Sequence, residues 1–329
     1  MGKMVIITTG GTIAMKKDTN GLALPSVTGE DFVQALPELE TLGEIHSLSW
    51  KNVPSTHLNF SDILELSHIL KGYYQKGFTG AVITHGTDVM EETSYLLELI
   101  TNIEMGIVVT GAQRNPSLPG ADGPANLLDS AVIAASPNAA KAGVMVVFNG
   151  EAHAARDVSK THASRLDTFQ SQEFGPLAIV SNMQAQWVRQ TLIKEHYSVA
   201  QINKRVEIVK CNFAADGLLI ELLLQKGIDG LIVEGLGAGH VPPEMMPQIK
   251  EAVATGIPVI LSSRCVGPLF TNTYGFKGSE RDLKDMGVIF GDALPSIKAR
   301  VKLAVLLAAR LTPAEIRHCF HKHFYRDLE

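Results

Sequence analysis

Paired cysteines, dense charge and long apolar runs are all missing from this chain of 329 residues. Its three cysteines, Cys211, Cys265 and Cys319, are an odd number without paired spacing, which excludes a disulfide framework and a cysteine-based zinc site. A reduced, cytoplasmic setting is the expectation. Charged residues make up only 19% of the chain, against about 25% in a typical globular protein. With 29 basic and 34 acidic residues and a net charge of −5, the electrostatic footprint of a nucleic-acid binder is absent. An anionic membrane surface is excluded as a partner on the same ground. No stretch approaches the roughly 20 apolar residues of a membrane span. The opening MGKMVIITTGG reaches glycine too soon to hold the apolar region of an export signal, and Ile6 stands where myristoylation wants Ser or Thr.

What is present suits a folded core. Hydrophobic residues are 45% of the chain, and at about 150 residues per domain the length corresponds to two domains. So little surface charge favours a compact oligomer. Short apolar runs recur at residues 4–9, 80–84, 106–110, 143–148, 230–234 and 256–261. Being continuous and not alternating, they read as buried parallel strands. Helical spacing lies between them at Phe60 to Lys71 and Glu91 to Leu99, and again from Pro295 to Phe324. The fold class predicted is therefore α/β, with crossover helices. A polar stretch near residues 182–205 breaks the rhythm before VEIVK restarts it. We expect an N-terminal domain over 1–185, a linker over 186–206 and a smaller C-terminal α/β domain over 207–329. No repeat or low-complexity tract is visible.

Ligands of open parallel sheets bind beyond the carboxyl ends of the strands. The first such end carries Thr8-Thr9-Gly10-Gly11-Thr12, where glycines permit a sharp turn and close ligand approach. A purely structural turn explains them too. A phosphate loop does not, because the closing Lys-Ser/Thr is missing, and Gly235 to Gly239 fails the dinucleotide fingerprint. Thr84-His85-Gly86-Thr87-Asp88 sets a hydroxyl beside a carboxylate at another strand end, although a helix cap followed by acids would read the same way. Gly111-Ala112-Gln113-Arg114 follows the next strand, and Arg156 to Thr161 places Lys160 among short polar residues. Two threonines, a carboxylate, a lysine and close-approach glycines are a sufficient set for hydroxyl-nucleophile chemistry.

These segments, TTGGTIA, THGTD with the following ME-ET, GAQR with ADGPAN, DVSKTH, FGPL and KARVKLAVLL, resemble the bacterial-type asparaginase family, in its order, from about residue 8 to residue 307. The resemblance implies hydrolysis of a side-chain carboxamide, asparagine to aspartate and ammonia, without a cofactor or metal. It also implies a larger N-terminal and a smaller C-terminal α/β domain, assembled as a dimer or tetramer. Carried over by motif, Thr12 and Thr87 are the paired threonines, and Asp88 and Lys160 complete a Thr-Lys-Asp set. Gly11, Ser55, Thr56, Gly86 and Ala112 are the expected substrate contacts, with Ser55 on the α-carboxylate. A threonine hydroxyl needs an adjacent base, and a lysine amine, ordinarily near pKa 10.4, serves only where burial lowers that value. Backbone N–H groups near Gly11 and Thr87 are candidate donors to the oxyanion.

Three departures from the family pattern stand out. Residues 15–32 lack the tyrosine that many members carry there, leaving Thr19, Ser26 and Thr28 as loop hydroxyls and Tyr274 as a candidate to arrive from a neighbouring protomer. Thr56 stands where many exported members have glutamine, and His240 where asparagine is common. Selectivity among asparagine, glutamine and modified amides is therefore open. An amidotransferase-like ammonia-releasing component and a non-catalytic amide binder are the alternatives. The first would carry an extra N-terminal domain, for which the strand beginning at Lys3 leaves no room. The second would discard the four residues retained at Thr12, Thr87, Asp88 and Lys160. The histidines at 318, 321 and 323 lack an acidic neighbour and read as a solvated helix end, and His85 as a hydrogen-bonded core histidine.

Overall fold

The computed structural model describes residues 2–17, 23–25, 29–191, 194–267, 274–291 and 293–321. The chain divides into two compact units, with the division between His196 and Tyr197. In chain order the first unit contains β1 Lys3–Thr8, β2 Met15–Lys17, β3 Ala23–Pro25, α1 Gly29–Ala35, β4 Glu44–Ser49, α2 Phe60–Gln75, β5 Gly80–Thr84 and α3 Met90–Ile100. It continues with β6 Gly106–Thr110, α4 Gly123–Ala135, α5 Ala139–Ala142, β7 Val144–Phe148, β8 Glu151–Ala154, β9 Ser159–Lys160, β10 Phe169–Gln170, β11 Ala178–Ser181 and β12 Gln184–Trp187.

Eight of these strands form one sheet in the order β12-β11-β8-β7-β6-β5-β1-β4. From β4 to β7 the pairing is parallel throughout. Every residue of β5, β6 and β7 is buried, which is why their sequences are apolar without alternation. Val82, Val108, Met145 and Val147 pack in one core with Leu127 and Ala131 of α4. Fully burying each such side chain contributes about 1.5–3 kcal/mol. α2 starts at a capping box: Asn59 accepts from the amides of Ser61 and Asp62, and Asp62 accepts from the Asn59 amide. Its buried face is Ile63, Leu64, Leu66, Ser67 and Leu70. β4 has no counterpart among the predicted strands. As an edge strand it is only half-covered, so EIHSLS mixes polar and apolar residues.

Beyond β7 the sheet turns antiparallel through two hairpins. Asn149 and Gly150 have φ of 52° and 80°, and Asn182 and Met183 have 49° and 60°, each pair supplying a two-residue turn whose twist matches the strands.

The second unit contains β13 Val206–Lys210, α6 Leu218–Lys226, β14 Gly230–Gly235, α7 Met246–Ala254, β15 Val259–Ser263, α8 Glu280–Asp285, β16 Ile289–Phe290, α9 Ser296–Ala308 and α10 Pro313–His321. Its four strands are parallel in sequence order. The run predicted over 256–261 begins as a strand only at Val259. Gly256 and Ile257 instead close α7, their amides donating to Val253 and Ala252 carbonyls. The C-terminal segment is two helices, separated at Arg310, which takes φ of 62° ahead of Pro313. A larger α/β unit with a mostly parallel sheet and a smaller parallel one are thus both present, as predicted. Among the described residues no helix is long and apolar enough to cross a membrane.

Candidate active site

Thr8, Thr84 and Thr110 end β1, β5 and β6 in register with one another, and all three are buried. Three adjacent parallel strands therefore release their loops at one level of the sheet. The loops are stitched together immediately. The Thr9 amide and hydroxyl both donate to the Thr84 carbonyl at 3.1 and 2.9 Å, and the His85 amide donates to the Thr110 carbonyl at 2.7 Å. The segment before α2 joins them, with the Val53 amide donating to the Thr9 carbonyl at 3.0 Å.

Two glycines explain how closely these loops approach. Gly11 has φ of +80°, and a Cβ there would lie 2.5 Å from the Gly86 nitrogen. A Cβ on Gly86 would lie 2.8 Å from the Ser55 hydroxyl oxygen. Any side chain at either position would force the backbones apart. Because Gly11 and Gly86 touch, the residues that follow them, Thr12 and Thr87, are brought into one neighbourhood. Thr12 opens a single 3-10 turn, Thr12–Ala14, closed by the Ala14 amide on the Gly11 carbonyl.

Lys160 reaches the same place from β9. Its Nζ donates to Thr87 Oγ1 at 2.8 Å and to Asp88 Oδ1 at 3.1 Å. The lysine side chain is mostly buried, whereas Asp88 is open to solvent. Ser55 is buried at the start of the short 3-10 turn Ser55–His57, and its hydroxyl has no hydrogen-bond partner among the described residues. Thr56 beside it is exposed. Ala112 is buried behind β6, its methyl facing the position of a Cβ on Gly123. Asp122 shapes that loop by accepting from the amides of Gln113 and Arg114, and Asn126 donates to the Gly111 carbonyl.

His85 is the hydrogen-bonded core histidine read from the sequence: its Nδ1 lies 2.6 Å from the Gly86 carbonyl, and burial pushes its pKa down to about 4. It is neutral at working pH, with Nδ1–H donating.

Tyr274 and His240 belong to the second unit and meet there edge to face, with ring centroids 5.0 Å apart. Phe276 packs on the same imidazole, and Glu280, almost fully buried, lies 3.1 Å from His240 Nδ1. Glu280 was not among the sequence candidates. It follows Ser279, whose hydroxyl caps α8, and an acid there reads as a helix-start residue. Thr19, Ser26, Thr28 and His323 lie outside the described residues. Among the described residues no three His, Cys, Asp or Glu side chains converge as a metal site would require.

Comparison with known proteins shows which family the chain resembles. The family model for the asparaginase N-terminal domain matches residues 3–192, and that for the glutaminase/asparaginase C-terminal domain matches 205–320. An L-asparaginase of Bacillus licheniformis is 38% identical over 323 residues, spanning 97% of this chain and 99% of that enzyme. A component of the glutamyl-tRNA(Gln) amidotransferase of Pyrococcus abyssi is 32% identical, over 96% of this chain but 74% of that protein. The crystal structure of a probable cytoplasmic L-asparaginase from Campylobacter jejuni superposes with a TM-score of 0.88 at 29% identity, covering 98% of this chain and all of that one. On two domain models in sequence order and full-length relatives, this chain belongs to the asparaginase family.

Proposed function

We propose that the chain is a cytoplasmic asparaginase that hydrolyses the side-chain carboxamide of L-asparagine to L-aspartate and ammonia. The observation that supports this reading is the close approach of Gly11, which precedes Thr12, to Gly86, which precedes Thr87, with the Lys160 amine 2.8 Å from Thr87 Oγ1. Thr12, the less buried hydroxyl, attacks the carboxamide carbon. Thr87, Lys160 and Asp88 move the protons: the proton that Thr12 loses on attack passes through Thr87 to the unprotonated Lys160 amine 2.8 Å away, which Asp88 holds in place and which returns that proton to the departing nitrogen. Backbone N–H groups beside Gly11 and Thr87 stabilise the tetrahedral oxyanion. Collapse of that intermediate expels ammonia and leaves an ester on the threonine, which water then hydrolyses to the carboxylate. The Ser55 hydroxyl, without a hydrogen-bond partner among the described residues, is the group assigned to the α-carboxylate, with Thr56, Gly86 and Ala112 on the same loops.

His240 and Tyr274 are auxiliary in this reading, with Tyr274 delivered by a second copy in a homodimer or homotetramer. Purified protein should release ammonia from L-asparagine with a higher kcat/KM than from D-asparagine or L-glutamine. Folded protein that releases none from any of the three would refute the proposal.

A further inference from the structure

β9 is only two residues long, pairing Lys160 with Phe169 and Ser159 with Gln170. So short a ladder does not hold a lysine to the tolerance that proton transfer requires. The segment is held instead from α3. Glu91 Oε1 accepts from the Lys160 backbone amide at 3.3 Å. One turn on, the buried Tyr95 lies within electrostatic reach of Arg156, four residues before Lys160. Glu91 and Tyr95 are i and i+4 on one helix face, so residues 156–160 lie along that face, with the hydrogen bond from the Lys160 amide to Glu91 fixing the lysine end. α3 begins directly after Thr87 and Asp88, the two side chains that hold the lysine amine. One stretch of chain thus holds Lys160 by its amine and by its backbone. Glu91 is itself buried, and its second oxygen has no hydrogen-bond partner among the described residues.

We infer that Glu91 is a positioning residue for Lys160: by accepting the lysine's backbone N–H it sets where Nζ falls relative to Thr87. The inference rests on the proposed role of Lys160 in amide hydrolysis. Glu91→Ala should lower kcat roughly 10- to 100-fold with KM nearly unchanged, because misplacement by about 1 Å costs about 10²-fold. Glu91→Gln keeps an acceptor oxygen at the same reach and should recover most of the loss.

A second readout does not need turnover. Trace acetylation by acetic anhydride, followed by peptide mass spectrometry, should label Lys160 several-fold faster in Glu91→Ala than in the parent or in Glu91→Gln, as expected for a released amine. Should Glu91→Ala fold poorly, Glu91→Asp, whose arm is one methylene too short, takes its place in both experiments. Parental kcat and parental labelling in the shortened variant would overturn the inference. So would losses in kcat that track the melting temperature and are shared equally by Glu91→Gln, since that pattern marks a structural role alone. A parent that releases no ammonia, with Lys160 labelling still dependent on residue 91, would refute the proposed function and leave the positioning intact.

Discussion

Lys160 touches two side chains that lie 73 and 72 residues away in sequence, and that distance decides what its removal does. Lys160→Ala should lower kcat by about 10² to 10⁴, the usual contribution of a general base. Steady-state kinetics giving more than about a tenth of parental kcat would exclude the amine from proton transfer. Gly11→Ala is expected to act through the backbone. Its φ of +80° and the Gly86 nitrogen at 2.5 Å leave no room for a methyl, and a positive φ alone costs an alanine about 1–2 kcal/mol. A lower urea midpoint at unchanged slope, with loss of activity, is the expected result; a midpoint equal to the parent's would show that the loops can part freely. At this scale the sequence was legible only in part. Thr87 and Asp88 are neighbours and announce themselves, but nothing in DVSK says which carboxylate or hydroxyl its lysine meets. Glu91 and Glu280 were hidden for a different reason, since an acid in a first helical turn is what the helix dipole favours anyway.

α3 carries a second consequence at its other end. Glu98, two turns from Glu91, accepts from the Val144 amide at 2.6 Å, and desolvation raises its pKa from 4.5 to about 7. A carboxyl that binds its proton more tightly folded than unfolded stabilises the fold most below the unfolded value, and that stability is lost as pH rises from 4.5 toward about 7. Glu98→Gln retains an acceptor and removes the titration. Denaturant melts between pH 5 and 8 should show a flatter stability profile for the variant, and parallel profiles would contradict the assignment. The elements themselves were read best where they are most buried. β5 and β6 coincide with their apolar runs because both faces are covered. β4 escaped because an edge strand needs only one apolar face, and the break between α9 and α10 escaped because a periodic pattern does not record one residue at positive φ.

The two units each have their own core, one around β5, β6 and α4 and one around β14 and β15. The second unit exposes Phe213 at 96% and, on α6, Leu218 at 54%, Leu219 at 60% and Leu222 at 47%, an apolar row of the kind that marks an interface. Together with the low charge content this supports the homo-oligomer proposed above. Light scattering at micromolar concentration should give a mass two or four times 35.5 kDa, and a mass of 35.5 kDa would refute it. Two α/β units were readable from strand rhythm alone. The convergence of Thr9 to Thr12, Val53 to Ser55 and His85 to Asp88 was not, because it depends on strand order, in which β4, β1 and β5 stand side by side.

Ammonia release from L-asparagine by the parent, Thr12→Ala and Thr87→Ala, each checked for folding by circular dichroism, tests the paired-threonine site most directly. We expect turnover by the parent and near-complete loss in both variants. Turnover that survives either substitution at more than about a hundredth of the parental rate would contradict a site in which both hydroxyls take part.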